Sequence, residues 1–272
     1  MLHLHHIPRP PLSTLVECLW YWEGERGPYR LERLLPNGES SIIFNLRDEP
    51  IRLYDAADVR RFETYGHAVL SGARCDCFVI DTNQQERVIG IQFRAGGAFP
   101  FFRMPAWEAE GSSIALEDVW PGRGWEIRER LLEAGAPEAM FAILEEALLA
   151  QLVRAPELHP AVTYAVARFA RCELGGTVGA VTERIGLSSR RFIELFHREV
   201  GLKPKTFARV RRFQKALRTV RAARRIEWAQ VALESGYYDQ AHFIHDFQRF
   251  SGFTPAVYAT LATPHLNHVP LP

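Results

Sequence analysis

Two segments in the C-terminal part of the chain carry polar side chains with the spacing and chemistry of a DNA-contacting surface. Helical periodicity places the following residues on the outward faces of two helices: Ser189, Arg190, Ile193, Glu194 and His197 in the first, and Gln240, Ala241, His242 and His245 in the second. Gln can pair with adenine through two hydrogen bonds, Ala can contact a thymine methyl group, and His can donate to purine N7. These nine residues are therefore the predicted base-facing set. Ile193 and Glu194 restrict what the first helix can recognise.

The two segments belong to an internal repeat. Phe192, Phe196, Gly201 and Pro204 recur as Phe243, Phe247, Gly252 and Pro255, with the same spacing of four, five and three residues. A short helix, a glycine turn and a second helix make a helix-turn-helix unit, so the sequence predicts two such units.

Capping residues indicate where the second helix of each unit begins. Ser188 and Asp239 can accept hydrogen bonds from the free amides of the first turn. The predicted helices run from Ser188 to about Val200 and over Gln240–Ser251, with their phenylalanines facing the core. The predicted supporting helices cover Thr177–Ile185 and Glu227–Ser235.

Between the units, Thr206–Arg224 is predicted to be one long basic helix. At about 1.5 Å per residue it would span roughly 25–28 Å, comparable to the ~34 Å between successive major-groove faces. The side chains predicted to contact phosphates are Arg191, Arg209, Arg212, Lys215 and Arg249. The alternative interpretation is a basic helix face that is merely solvated.

Charge is divided unevenly along the chain, although the overall net charge is only +1. Residues 160–262 contain 17 Lys and Arg against 8 Asp and Glu, whereas the remainder contains 16 basic and 24 acidic residues. This asymmetry favours a nucleic-acid-binding module fused to a domain of another kind.

The fold class predicted is α+β. Residues 1–105 contain short β-rich runs separated by turns such as Pro36-Asn37-Gly38, which predicts a small β-barrel or sandwich with a sensory role. Residues 106–155 are predicted to form a helical connector or dimerisation segment. Residues 156–262 form the predicted all-α DNA-binding domain, and residues 263–272 a flexible tail.

Aromatic residues of the β-rich part are candidates for an effector site. A β-barrel with many aromatics can enclose an apolar ligand, and the residues assigned to it are Trp20, Trp22, Phe93 and Phe101, with Phe44 and Phe102 as further wall candidates. The alternative is that these rings fill the core. An apolar stripe on Pro137–Val153, including Leu144, is expected to pack across a dimer axis.

No pattern predicts catalysis or a bound cofactor. Cys18, Cys75, Cys77 and Cys172 lack disulfide or zinc spacing, and the pair His242 and His245, three residues apart on a predicted helix, is not expected to hold a metal. No apolar run is long enough to cross a membrane, and a cytoplasmic location is expected.

The repeat closely resembles the AraC/XylS family of bacterial transcription regulators. The matching segments are Gly186–Phe196, Gly201–Pro204, Arg212–Leu217, Gly236–Phe247 and Gly252–Pro255. The resemblance implies two recognition helices in adjacent major grooves. It carries base contacts over to Arg190, Ile193 and Glu194 and to Gln240, Ala241, His242 and His245. Thr182 departs from the small Ala usual in the first supporting helix.

The predicted function is that of a sequence-specific DNA-binding transcription regulator, not an enzyme, responding to a small-molecule effector through its N-terminal domain. Expected partners are double-stranded DNA, RNA polymerase and the effector, with the chain a monomer or homodimer and no membrane involved. Two alternatives stay open: a DNA-repair enzyme that transfers alkyl groups to a cysteine, and a regulator whose N-terminal domain only dimerises.

Overall fold

A computed structural model describes residues 2–24, 29–155, 157–172, 178–223, 225–261, 263 and 265–271. The predicted α+β class is confirmed: a β-rich N-terminal part with two sheets is followed by a helical C-terminal part. The predicted start of the first supporting helix at Thr177, the end of the joining helix at Arg224 and the domain boundary at Pro156 lie outside the described residues.

The strands form two antiparallel sheets. Their bounds are β1 Leu2–His6, β2 Val16–Glu23, β3 Leu31–Leu34, β4 Ser41–Asn45, β5 Arg52–Tyr54, β6 Phe62–Thr64, β7 Ala68–Ser71, β8 Phe78–Asp81, β9 Arg87–Phe93, β10 Ser113–Ala115 and β11 His268–Leu271. One sheet has the order β1-β2-β9-β4-β7-β10 and the other β11-β3-β8-β5-β6.

Alternation along the strands gives the six-stranded sheet two different faces. On β4, Ile42 and Phe44 are fully buried in the main N-terminal core, whereas Ser41 and Ile43 face a cavity. Since successive side chains of a strand point to opposite faces, every strand of this sheet is divided in the same way.

Three helices cover the core side of this sheet: α1 Leu116–Val119, α2 Arg123–Ala134 and α3 Pro137–Ala150. The apolar stripe of α3, including the fully buried Leu144, packs into the same core as Ile42 and Phe44. The expectation that this stripe crosses a dimer axis is therefore wrong. The stripe covers the chain's own sheet, so residues 116–148 contribute to the core of the N-terminal domain.

Seven helices make up the described part of the C-terminal region: α4 Pro160–Ala170, α5 Val178–Ile185, α6 Ser189–Val200, α7 Pro204–Ala222, α8 Trp228–Glu234, α9 Gln240–Ser251 and α10 Pro255–Leu261. The helix α7 contributes to two cores. Phe207 packs with Phe192 and Phe196 of the first unit, and Phe213 packs with Phe243 and Phe247 of the second. No helix among the described residues is long and apolar enough to cross a membrane.

The C-terminal tail is not the flexible segment predicted from its prolines and lack of periodicity. His268–Leu271 forms β11, which pairs with β3 of the N-terminal domain from His268 opposite Leu34 to Leu271 opposite Leu31. The amide of Leu35 also donates to the carbonyl of Asn267 at 2.9 Å. Val269 is fully buried, so pairing with a distant strand orders this tail.

We expect Val269→Asp to lower the free energy of unfolding by about 3 kcal/mol or more, because it buries an unpaired charge. Urea unfolding of the full chain measures this. Val257→Asp, at an exposed position on α10, is the matched control and should cost far less. Equal small effects of both changes would show that β11 does not contribute to the stability of the fold.

Candidate nucleic-acid interface

Each helix-turn-helix unit has the local geometry that its sequence predicts. Ser188 accepts from the amide of Arg191 at 3.3 Å, and Asp239 accepts from the amide of His242 at 2.7 Å, so both second helices are capped. Gly186 and Gly236 adopt φ values of +67° and +82° in the turns, a conformation that glycine adopts without steric cost.

The second recognition helix, α9, presents its predicted base-facing side chains to solvent. Gln240, Ala241, His242 and His245 are all exposed, while Phe243, Phe247 and Phe250 on the opposite face are buried. This face is therefore free to enter a groove.

The first recognition helix, α6, is less free. Ser189, Arg190, Ile193 and Glu194 are exposed, but the Arg190 side chain forms an ion pair with Glu194 at 3.0 Å. His197 is only 21% exposed and lies 2.7 Å from the Glu110 carboxylate of the N-terminal domain, with the Trp107 ring 5.4 Å from its own. The sequence offered no sign of this contact, because 87 residues separate Glu110 from His197.

The predicted phosphate-contacting residues divide into two groups. Arg191 and Arg249 are exposed and Lys215 is partly exposed. Arg209 instead holds the buried Asp246 through two hydrogen bonds of 3.2 and 2.5 Å, and Arg212 lies over the Tyr237 ring at 5.5 Å with its Nε buried. Both side chains thus make contacts inside the domain, and the assignment of Arg209 and Arg212 to phosphates stays a prediction.

Asp246 is a structural residue that the sequence interpretation missed. It is 1% exposed and joins α9 to α7 through Arg209, with His242 and His245 nitrogens at 3.7 and 3.8 Å. The repeat spacing places Leu195 at the equivalent position of the first unit, where it packs in an apolar core. The sequence did carry a signal of this role, because Asp246 is an acid at the position where the first unit has a leucine.

Arg209→Ala should destabilise the chain by about 3 kcal/mol, because it leaves the Asp246 carboxylate buried without its main partner. The double variant Arg209→Leu with Asp246→Leu, which copies the leucine of the first unit, should recover most of this loss. Urea unfolding of the two variants and the wild type makes the comparison. A fully stable Arg209→Ala protein would mean that the pair is not structural.

The N-terminal domain contacts α7 through the segment that connects β3 to β4. Leu35 packs with Val210 and Phe213, and the Gln214 amide donates to the carbonyl of Pro36 and to Asn267 Oδ1, both at 2.8 Å. Arg211 forms a half-buried ion pair with Glu39 at 2.9 Å. At the far end of α9, Arg33 donates to the carbonyl of Ser251 at 3.1 Å.

A cavity of ≈ 240 Å³ lies between the two sheets, beside these contacts. Its wall contains Trp20 and Ile43 from the six-stranded sheet, Leu34 and Phe78 from the five-stranded sheet, and the connecting residues up to Glu39. Concave sites of this kind, apolar with a few polar groups, are the usual form of small-molecule sites.

Of the four aromatic residues assigned to an effector site, one lines this cavity. Trp20 does so, whereas Trp22 lies further along the strand, 5.4 Å from the His3 ring. Phe93 and Phe101 are buried in the core on the other side of the sheet, as are Phe44 and Phe102, and their assignment to the effector site is corrected. The alternation of strand side chains explains this, because Phe44 and Ile43 must face opposite ways.

Burial raises the pKa of the Glu39 carboxyl to about 7, and the Arg211 guanidinium opposes this shift. Because the folded-state pKa exceeds the ordinary value of 4.5, the folded chain holds this proton over a pH range in which the unfolded chain has lost it. The resulting stabilisation is fully present below pH 4.5 and is lost as the pH rises through about 7.

Glu39→Gln should therefore remove a pH-dependent part of the stability. We expect the free energy of unfolding of this variant to improve relative to wild type as the pH rises from about 5 to about 7.5. Urea unfolding at both pH values tests this, with Glu138→Gln, at an exposed position of α3, as the control. Parallel behaviour of wild type and Glu39→Gln would contradict the assignment.

Family models match both parts of the chain. Residues 181–260 match a family described as "Helix-turn-helix domain", and residues 4–115 match one described as "Domain of unknown function (DUF6597)". The resemblance to the AraC/XylS family is thereby confirmed for the C-terminal part. No curated protein matches the chain.

Several solved structures are similar to parts of the chain. Fatty-acid-bound ToxT from Vibrio cholerae is 10% identical, with coverage of 91% of this chain and 95% of that one and a TM-score of 0.48. The C-terminal domain of AraT from Geobacillus stearothermophilus is 20% identical over 40% of this chain and 91% of its own, at a TM-score of 0.38. A probable AraC family transcriptional regulator from Rhodopseudomonas palustris is 27% identical. The match covers 39% of this chain and 100% of that one, with a TM-score of 0.34.

Proposed function

We infer that this chain, a DNA-binding transcription regulator with an AraC-type helix-turn-helix domain, contacts bases mainly through α9 and answers to a small molecule held by its N-terminal domain. The observation that carries the inference is the free face of α9. Gln240, Ala241, His242 and His245 are exposed together on a capped helix whose other face is locked in the core.

We assign the first unit a smaller part in sequence discrimination. Arg190 and Glu194 neutralise each other on the α6 surface, and His197 is held by Glu110. Ser189 and Ile193 are the exposed side chains of that face without a charge. Contacts to phosphates are assigned to Arg191, Lys215 and Arg249, which position the chain on DNA without specifying sequence.

The cysteines do not favour the alternative of an alkyl-transfer enzyme. That chemistry needs a thiolate, which requires a lowered thiol pKa. Burial instead raises the pKa of Cys18 to about 11, and it also raises the pKa of Cys75, Cys77 and Cys172. Among the described residues no group of three or more His, Cys, Asp or Glu side chains could hold a metal to activate one of them. We therefore propose a non-enzymatic regulator.

The partners proposed are double-stranded DNA, RNA polymerase and a small-molecule effector, in the cytoplasm. Residues 2–155 are proposed to act as one sensory body, because α1–α3 share a core with the six-stranded sheet. Because the α3 stripe is buried in that core, a homodimer would have to form through another surface of the chain. We therefore propose that the chain is a monomer.

Gln240→Ala and His245→Ala should lower the preference of the full chain for its selected DNA over random DNA by about 1–3 kcal/mol at a few base positions. Arg249→Ala should weaken both DNAs about equally and reduce the salt dependence of binding. The full chain is used because β11 pairs with β3, a strand of the N-terminal domain. Fluorescence anisotropy at several salt concentrations gives these affinities.

Arg60→Ala serves as the control, since Arg60 is an exposed arginine of the N-terminal domain paired with Asp58. If Gln240→Ala changed both affinities in parallel, or if wild-type binding did not weaken with salt, the proposed interface would be wrong.

A further inference from the structure

The cavity between the sheets is lined by a positive charge that no direct ion pair neutralises. Arg74 lines it, and its guanidinium donates to the carbonyl of Gly111 at 2.6 Å and to Ser113 Oγ at 2.9 Å, both uncharged acceptors. Its Nε is buried without a hydrogen-bond partner, and the guanidinium lies over the Phe78 ring at 4.5 Å. Among the described residues no ion pair joins Arg74 to a carboxylate, although the charges of Asp76 and Glu63 act on it at longer range.

The other charged groups of the wall are already paired. Glu39 has Arg211 at 2.9 Å, and His268 has Glu32 at 2.9 Å. A cationic ligand would have to displace Arg211 to reach Glu39. An anionic ligand instead finds Arg74 without a carboxylate in direct ion-pair contact, since Asp76 and Glu63 act on it only from a distance. Buried charges in proteins are normally paired, and the Arg74 guanidinium still has room for a direct anionic partner.

The rest of the wall suits a compact, partly apolar body. Trp20, Ile43 and Val88 supply apolar surface, and Ser71 and Gln92 supply hydrogen-bonding groups. The volume of ≈ 240 Å³ lies below the roughly 300–1,000 Å³ of sites for drug-sized ligands, which indicates a small metabolite.

We propose that the cavity binds a small monocarboxylate, with Arg74 pairing with the carboxylate and the apolar wall enclosing the body of the molecule. The inference rests on the proposed function, to which it adds the chemical class of the effector. Arginine suits this role because its planar guanidinium holds carboxylates through paired hydrogen bonds.

The same cavity wall can transmit occupancy to the DNA-binding domain. Four residues both line the cavity and contact α7: Leu35, Pro36, Glu39 and Asn267. Pro36 and Asn267 make their contact with α7 by accepting hydrogen bonds from the Gln214 amide. A ligand that shifts this segment must disturb Arg211 and Gln214, which lie on the helix joining the two recognition units. Occupancy thereby alters how α6 and α9 are presented to DNA.

The test uses the full chain and three carboxylates, hexanoate, cyclohexanecarboxylate and phenylacetate, each beside its primary amide. Titration calorimetry and thermal unfolding should show binding of at least one carboxylate, with its amide at least ten-fold weaker. Arg74→Gln should weaken that binding at least ten-fold, Arg74→Lys should weaken it less, and Arg60→Gln should leave it unchanged.

The proposal is overturned if none of the three carboxylates binds at millimolar concentration, if the amides bind equally well, or if Arg74→Gln binds like wild type. Thermal unfolding without ligand shows whether Arg74→Gln has folded. If it has not, Ile43→Trp is used in its place, because the larger side chain fills the cavity and should likewise abolish binding. The DNA affinity of the ligand-free chain is measured separately. If the chain binds DNA but none of the carboxylates, this inference is wrong and the proposed DNA-binding function still stands.

Discussion

The structure depends on one helix, α7, being packed from three sides at once. Its first half completes the core of the first helix-turn-helix unit, its second half completes that of the second, and a third side meets the N-terminal domain. The Gln214 amide, 3% exposed, fixes this third side through the carbonyl of Pro36 and the side chain of Asn267. A buried amide that lost these acceptors would pay its full desolvation cost, so the three bodies are held in one arrangement.

This arrangement explains why the basic character of α7 is a poor guide to its role. Arg209 and Arg211 pair with Asp246 and Glu39, and Arg212 stacks on Tyr237, so three of its arginines hold neighbouring elements in place. We propose that DNA contact falls to side chains at the outer surfaces, above all those of α9. The same pairing makes α7 sensitive to the N-terminal domain, because Glu39 lies at the wall of the cavity.

Local periodicity predicted the elements that depend only on nearby residues. The repeat of Phe192 and Phe243, the caps and the glycine turns fixed both helix-turn-helix units, and turn chemistry indicated a β-rich N-terminal domain. What failed depended on distant partners. The tail was ordered by pairing with β3, the α3 stripe was covered by the chain's own sheet, and His197 met Glu110 from another domain. The effector-site assignment failed at Phe93 and Phe101 for a different reason, since composition does not tell which face of a strand turns toward a cavity.

We propose that α6 and α9, both packed on α7, enter DNA together, with α9 making most of the base contacts. Genomic fragments bound by the full chain supply the site, and hydroxyl-radical footprinting on that site locates the contacts. The account predicts two protected patches on one face of the duplex, about 10–10.5 base pairs apart, because α6 and α9 would enter successive major grooves. A single protected patch, or two patches on opposite faces, would contradict it.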